Sequence, residues 1–286
     1  MTSSDSSLPV QPGACPPADP AGSPQAIPAA SAGAYAAGSP QAIPAASAPT
    51  HPAASPPAHP TASAPAHPAA SRPDAVTDTR RFAAESLAAG DATGWFERLY
   101  AEAEEGRATV PWDVAAASVN LREFPLPPGE GRPALVVGCG PGRDAEHLAA
   151  LGYAVTAFDI SQTAIALARE RHPDSPVDYR VADLLDPPAD WHRAFDLVLE
   201  SNNVQALPTE IRARAIGAVG EFVAPGGTLL VLAAAATDSP GEGPPWPLTR
   251  AEIDAFATTG LRQISVEELA APDSRLLARW RAVYTR

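Results

Sequence analysis

Short and nearly continuous apolar runs recur along the chain from residue 134 onward, and segments with helical spacing separate them. Strands that are covered on both faces lose the alternation of polar and apolar positions. Five buried strands are therefore predicted at 134–137, 154–159, 177–181, 195–200 and 228–234. Helices are predicted at 82–105 with a break around 90–94, and at 143–151, 161–171, 209–223 and 249–258. Two further runs, at 261–269 and 279–285, predict a final pair of strands.

The order of these elements predicts an α/β fold. Strands that alternate with helices form a parallel sheet with helices on both faces. We therefore expect a doubly wound, mostly parallel, Rossmann-like sheet that ends in a C-terminal antiparallel strand pair. In such sheets, ligands bind at the carboxyl ends of the strands near the point where the strand order reverses.

The first part of the chain has a different pattern, rich in proline, alanine and serine. The segment AGSPQAIPAASA occurs at 21–32 and again at 37–48, and HPAAS-type repeats begin at His51, His59 and His67. With so few large apolar residues, this part cannot offset the entropy of ordering. A disordered repeat tail is predicted over 1–79 and one domain over 80–286. Each repeat histidine is interpreted as an isolated side chain in a flexible coil and not as a metal ligand.

Composition narrows the classes of function. The chain has 33 acidic and 20 basic residues and a net charge of −13, so no nucleic-acid partner is expected. Two cysteines, Cys15 and Cys139, exclude a disulfide framework or a cysteine-rich zinc site. The first residues lack the features of a secretory signal, and no apolar run is long enough to span a bilayer. A cytoplasmic protein without a membrane partner is the expectation.

A glycine-rich loop supplies the first functional motif. Its sequence, GCGPG at 138–142, follows the first predicted strand and opens a helix, where glycines allow a ligand to approach the backbone. Asp159 ends the second predicted strand, where a carboxylate can accept two hydrogen bonds from a ribose. The loop and the acid together predict a cofactor that contains adenosine. Arg143 occupies the position of the third glycine in a dinucleotide-binding loop, which does not favour that class.

On these residues the chain resembles the class I S-adenosylmethionine-dependent methyltransferases over residues 95–286. VPWD at 110–113, GCGPGRD at 138–144 and FDIS at 158–161 are similar to the superfamily. Trp95 with Tyr100, and GPPW at 243–246, resemble its thiopurine S-methyltransferase-like branch of small-molecule enzymes.

Two positions depart from patterns in the superfamily. Many members have an acid at the position of Val136, although this position is also apolar in the thiopurine S-methyltransferase-like branch. Better-known thiopurine-methylating members have an arginine at the position of Ser201, which argues against thiopurines as acceptors.

The resemblance implies S-adenosyl-L-methionine as the cofactor and assigns roles to individual residues. The loop would pass beneath the methionine and ribose portions, and Asp159 would bind the ribose hydroxyls. Asp183 and Leu184 would meet the adenine, and Glu200 would lie beside the sulfonium. The expected cofactor-binding residues are Gly138, Cys139, Gly140, Gly142, Asp159, Ile160, Asp183, Leu184, Glu200 and Trp95. The expected acceptor-binding residues are Trp112, Ser201 and Trp246.

The chemistry of methyl transfer makes few demands on side chains, because the site mainly aligns the reactants and excludes water. None of His147, His172 and His192 is a compelling base, and no catalytic residue is predicted. A small thiol-like acceptor is favoured because a thiol ionises near neutral pH. The alternatives are an O-, N- or metalloid-directed methyltransferase, an NAD(P)-dependent oxidoreductase and a non-catalytic cofactor-binding domain.

Other motifs indicate which chemistries are absent. Asp183 and Asp186 have no third ligand nearby, so no metal site is predicted. The segment NNVQ at 202–205 lacks the motif of nucleic-acid amino-methylating enzymes. Neither the oligomeric state nor the identity of the acceptor follows from the sequence.

Overall fold

The computed structural model of the chain describes residues 75–236, 243–270 and 277–286. The predicted repeat tail therefore lies outside the described residues, except for 75–79. Those five positions form the first turns of a helix and not part of a tail. The predicted break at 90–94 agrees with the structure, because the first helix ends at Ala88 and the next begins at Gly94.

The described residues form seven α-helices and seven strands. The helices are α1 (Ala75–Ala88), α2 (Gly94–Glu104), α3 (Val119–Arg122), α4 (Arg143–Ala150), α5 (Gln162–Arg171), α6 (Thr209–Glu221) and α7 (Arg250–Ala255). The strands are β1 (Pro133–Val137), β2 (Ala154–Asp159), β3 (Asp178–Val181), β4 (Phe195–Ser201), β5 (Val223–Ala234), β6 (Arg262–Leu269) and β7 (Arg279–Thr285). Short 3₁₀ turns lie at Ala189–Trp191, Val204–Ala206 and Phe256–Thr259.

All seven strands belong to one sheet with the order β3-β2-β1-β4-β5-β7-β6. Strands β1 to β5 are parallel, whereas β7 runs antiparallel to both β5 and β6. The strand order reverses next to β1, between β2 and β4. The doubly wound, mostly parallel sheet with an antiparallel C-terminal pair is thus confirmed.

The sheet is buried on both faces, which explains the continuous apolar runs. Along β1, Leu135 and Val137 belong to one hydrophobic cluster, whereas Ala134 and Val136 belong to the other. Side chains alternate between the faces of a strand, so both sets must be apolar.

Some element boundaries differ from the sequence prediction. Strand β5 begins at Val223 and not at residue 228, because Val223 pairs with Phe195 before an irregularity in the β4–β5 register. Helix α3 was not predicted, as its four residues have too few positions to show helical spacing. Within the described residues, no helix has both the length and the hydrophobicity needed to cross a membrane.

Candidate functional site

The glycine loop between β1 and α4 adopts backbone conformations that favour glycine. Gly140 has a φ of +52°, and a Cβ atom at this position would lie 2.8 Å from the Tyr100 hydroxyl oxygen. Gly142 has a φ of +91°, and a Cβ atom there would collide with the ring of Tyr179. The loop can therefore make its turn and pack under these rings only with glycine at both positions.

Asp159, the last residue of β2, joins the glycine loop to the neighbouring strand. One carboxylate oxygen accepts a hydrogen bond from the Gly140 N–H at 2.9 Å, and the other accepts one from the Ser161 N–H at 2.9 Å. Burial raises the pKa of Asp159, and these two backbone donors oppose the shift. Each ionised oxygen has a second lone pair, so the carboxylate retains capacity for ligand hydroxyls.

A cavity of about 360 Å³ opens at the carboxyl edge of the sheet beside this carboxylate. Its volume is within the usual range for small-molecule sites. Ten residues of the predicted site line it together, namely Trp95, Trp112, Gly138, Cys139, Gly140, Asp159, Ile160, Asp183, Leu184 and Ser201. Gly140 and Asp159 thus share one cleft, as the cofactor hypothesis requires.

Three residues of the predicted site do not line the cavity. Gly142 is the N-cap of α4 beneath the loop, and Glu200 is fully buried. Trp246 instead donates its backbone N–H to the Gln205 carbonyl at 2.8 Å. Its neighbours Pro244 and Pro245 form that part of the cavity wall.

The adenine end of the predicted site is built on the turn after β3. Asp183 accepts a hydrogen bond from the Leu185 N–H at 2.8 Å, which fixes the carboxylate at the cavity wall. Leu184 is buried and offers an apolar surface beside it. Within the described residues, no cluster of three or more potential metal ligands is present.

Aromatic residues of the N-terminal segment form another part of the cavity wall. Trp95 stacks on Phe96 and meets Trp112 edge-on, with ring centroids 3.8 and 6.1 Å apart. The Trp112 indole N–H donates to the Tyr100 hydroxyl at 2.7 Å. Trp95 is only 1% exposed, and its indole N–H has no hydrogen-bond partner among the described residues. A buried donor without a partner in a cavity wall fits a ligand that carries an acceptor atom.

Two carboxylates hold this segment against α5, Glu97 by hydrogen bonds and Asp113 by an ion pair. The Glu97 carboxylate accepts hydrogen bonds from both hydroxyls at the start of α5, Ser161 at 2.7 Å and Thr163 at 2.6 Å. Arg171 binds Asp113 through two hydrogen bonds of 2.5 and 2.7 Å. The segment from Trp95 to Trp112 forms the roof of the cavity. Two carboxylates, Glu97 and the adjacent Asp113, attach this roof to α5.

Glu200, near the end of β4, is a buried acid with an uneven set of partners. One of its oxygens accepts the N–H groups of Asn203 at 2.8 Å and Val204 at 2.9 Å. The other oxygen has no partner among the described residues. Burial raises the pKa of Glu200 to about 7, although the two N–H donors and the charge of Arg279 act in the opposite direction.

Arg279 and Gln205 line the cavity but were not predicted as site residues. Arg279 is the first residue of β7, which starts at the edge where the parallel strands end because it is antiparallel to β5. The predicted strand at 279–285 contained this signal, since an arginine at its first position lies beside a ligand edge. None of the described histidines lines the cavity.

Comparisons with known proteins show similarity to methyltransferases. Residues 134–227 match the family described as "Methyltransferase domain". Thiocyanate methyltransferase 1 of Arabidopsis thaliana is 30% identical over 167 residues, which cover 55% of this chain and 71% of that protein. Ubiquinone biosynthesis O-methyltransferase of Xanthomonas campestris pv. campestris (strain B100) is 32% identical over 157 residues, 54% of this chain and 59% of that protein.

A solved structure is similar over a comparable length. It comes from work on the conversion of a disulfide bond into a thioacetal group during echinomycin biosynthesis. It has 25% identity and a TM-score of 0.52, and the match covers 67% of this chain and 93% of that one. Kinship of this extent, on a fold with such a cleft, makes the chain a member of the class I S-adenosylmethionine-dependent methyltransferases, enzymes whose cofactor is S-adenosyl-L-methionine.

Proposed function

We propose that this enzyme methylates the sulfur atom of a small-molecule acceptor. The observation that carries the proposal is the set of ionisable groups in the cavity wall. Neither a histidine nor a lysine is among the described lining residues. The three lining carboxylates, Asp144, Asp159 and Asp183, each accept a backbone N–H. A sulfur acceptor ionises near neutral pH without a base, whereas a hydroxyl usually needs help with its proton.

Two of the similar proteins support a sulfur acceptor by their names. One is a thiocyanate methyltransferase, and the other belongs to the conversion of a disulfide into a thioacetal. The net charge of −13 further favours a small molecule over a nucleic acid as the acceptor.

The side chains divide the cavity between cofactor and acceptor in this proposal. Asp159 accepts hydrogen bonds from the ribose hydroxyls, and the Trp95 indole N–H donates to an acceptor atom of the cofactor. Asp183 and Leu184 bind the adenine. The remaining proposed cofactor contacts are Gly138, Cys139, Gly140 and Ile160. Bound S-adenosylmethionine supplies a methyl group that its positively charged sulfur activates.

The acceptor would lie beyond β4, between Ser201 and the aromatic wall. Trp112 and the prolines of the GPPW segment exclude water and align the acceptor sulfur. Trp246 would act by holding Pro244 and Pro245 in place, since its backbone is bound to Gln205 and to Arg212. Gly142 and Glu200 support the loop and the end of β4 from behind the cavity wall.

Oxygen methylation is the second candidate, because the Xanthomonas relative is an O-methyltransferase. In that case Glu200, with its pKa of about 7, is the carboxylate closest in sequence to the acceptor side, and it would have to reach the substrate to remove a proton.

An acceptor panel with the full-length enzyme tests the proposal. It contains thiocyanate, hydrosulfide, organic thiols, thiopurines, phenols, amines, selenite and tellurite, and it measures release of S-adenosylhomocysteine. We expect the highest kcat/KM for sulfur acceptors. Turnover of phenols or amines without turnover of any sulfur compound would overturn sulfur methylation. Calorimetric titration with S-adenosylhomocysteine checks that the protein is folded and competent to bind.

A further inference from the structure

Arg279 brings a positive charge to the acceptor side of the cavity. It pairs with Ala234, the last residue of β5, and therefore lies at the carboxyl edge of the parallel strands. The next residue, Trp280, is buried in the hydrophobic core, and side chains alternate along a strand. The half-buried Arg279 side chain lines the cavity together with Ser201, Asn202 and the two prolines of the GPPW segment.

Among the described lining residues there is one other arginine, Arg143, and its guanidinium lies 3.9 Å from the Asp144 carboxylate. Arg143 donates to the backbone carbonyls of Trp112 and Val114. Arg279 donates to a neutral group, the Asn202 amide oxygen. Within the described part of the chain, no carboxylate forms an ion pair with Arg279. Its guanidinium has five N–H donors in a fixed plane, so capacity remains for a ligand.

A short chain of hydrogen bonds connects Arg279 to the predicted acceptor residue Ser201. Arg279 donates to the Asn202 side-chain oxygen, and the Asn202 side-chain nitrogen donates to the Ser201 hydroxyl at 3.2 Å. Asn202 has a φ of +64°, a conformation that asparagine tolerates better than most residues. The guanidinium is thus held beside Ser201, the residue predicted to contact the acceptor.

Burial and charge make this guanidinium sensitive to an anion. Burial lowers the pKa of Arg279, while the nearby Glu200 carboxylate raises it. The protein as a whole carries a charge of −13, whereas Arg279 places a positive charge beside Ser201 on the acceptor side of the cavity. A partly buried arginine attracts an anion more strongly than an exposed one, because the surroundings screen the charge less.

We propose that Arg279 determines acceptor specificity by binding the negative charge of a small anionic sulfur nucleophile, such as a thiolate or an inorganic sulfur anion. This inference rests on the proposed sulfur methylation and names its substrate class. The acceptor sulfur donates an electron pair to the methyl carbon, and the bond from that carbon to the cofactor sulfur breaks with its pair left on the cofactor. The sulfonium of the cofactor and the anionic sulfur of the acceptor thus both become neutral. The products are S-adenosylhomocysteine and the S-methylated acceptor, and no proton is transferred. The product has lost the charge that Arg279 binds, which favours its release.

The test compares Arg279→Met and Arg279→Lys with the wild-type enzyme. The probes are thiocyanate as the anionic acceptor and thiourea as a sulfur acceptor that is neutral and reacts without ionising. For Arg279→Met we expect the ratio of kcat/KM for thiocyanate to kcat/KM for thiourea to fall at least tenfold. Arg279→Lys keeps the charge and should recover part of this ratio. Arg281→Met is the matched control, because Arg281 is on the same strand but pairs with Glu267 outside the cavity.

A binding measurement separates this inference from the proposed function. Thiocyanate is titrated into protein saturated with S-adenosylhomocysteine, and Arg279→Met should weaken its binding at least tenfold without turnover. An affinity and a kinetic ratio within twofold of wild type in Arg279→Met would overturn the role of Arg279, whereas a wild-type enzyme that methylates only phenols would overturn sulfur methylation. If Arg279→Met is unstable, Arg279→Gln, which keeps a polar group beside Asn202 without the charge, is measured in the same two assays.

Discussion

At the scale of single residues, two buried carboxylates lie on the strands that flank β1, and they differ in how their oxygens are hydrogen-bonded. Asp159 ends β2, and both of its oxygens accept backbone N–H groups. Glu200 is in β4, and one of its oxygens takes two N–H groups while the other has no partner among the described residues. The backbone donors on both oxygens of Asp159 oppose the rise in pKa that burial causes. Glu200 has a pKa of about 7 and therefore changes its protonation around neutral pH.

The pKa of Glu200 makes folding stability depend on pH. The pKa is about 7 in the folded protein and near 4.5 when the group is solvated, so the folded state binds the proton more tightly. The contribution of Glu200 to the free energy of unfolding is fully present below pH 4.5. It is lost as the pH rises through 7, because the buried carboxyl must then ionise. Glu200→Gln imitates the protonated form and lacks this loss. The variant should gain up to about 3 kcal/mol relative to wild type between pH 5 and pH 8.

Urea unfolding of both proteins at several pH values measures the difference. The pair is its own control at pH 5, where Glu200 is protonated and the two proteins should differ least. A free-energy difference that stays constant from pH 5 to pH 8 would contradict the assigned protonation of Glu200.

At the scale of elements, the cavity roof depends on how α2 is joined to α5. Partial burial alone would raise the pKa of Glu97, but hydrogen bonds from Thr163 and Ser161 together hold it below its usual value. The carboxylate also accepts the Thr163 backbone N–H at 3.1 Å. This N–H is one of the helix donors without an intrahelical partner, and a negative charge near a helix N-terminus is favourable. Glu97 thus acts as a cap from a different helix.

Glu97→Gln should loosen this connection. The amide has no charge and only one acceptor oxygen for three donors, so a loss of about 1–2 kcal/mol in unfolding free energy is expected. The affinity for S-adenosylhomocysteine should fall several-fold, because α2 carries Trp95. Denaturant unfolding and calorimetric titration measure the two effects. Glu102→Gln is the control on the same helix, since its pair with Arg107 is exposed and contributes little. Equal effects of the two substitutions would argue against a specific role of Glu97.

At the scale of the whole molecule, the sheet, the glycine loop and Asp159 were predictable from local patterns, whereas the other predicted cavity residues came from the resemblance to the methyltransferases. Strands buried on both faces leave continuous apolar runs, and a glycine turn followed by a strand-end acid is a local signature. Arg279 and Gln205 were not predicted because tertiary pairing brings them to the cavity: β7 by its antiparallel register with β5, and Gln205 through its side-chain acceptor for the Ala234 N–H. Spacing along the chain does not give these pairings; the sequence offers only the position of Arg279 at the start of the last predicted strand.

The first turns of α1 fall within the segment that was predicted as the repeat tail. Alanine-rich sequence continues across residue 75, so composition gave no sharp end to the repeat tail. In the structure, α1 starts at Ala75, and Val76 and Thr79 line the cavity. Asp78 and Thr79 are buried as well. The segment that composition assigned to the tail therefore contributes to the site.

Two truncated proteins locate the boundary. A variant that begins at Ser71 retains all of α1, and we expect it to match the full chain in unfolding free energy and in affinity for S-adenosylhomocysteine. A variant that begins at Arg80 lacks the first turns of α1 and two cavity-lining residues. Loss of these buried groups should cost about 1–3 kcal/mol of stability and weaken binding of the ligand. Denaturant unfolding and titration compare the two with the full chain. If the Arg80 variant equals the Ser71 variant in both measurements, then α1 is dispensable and the domain begins where composition alone put it; if both are equally impaired, residues before Ser71 contribute to the fold.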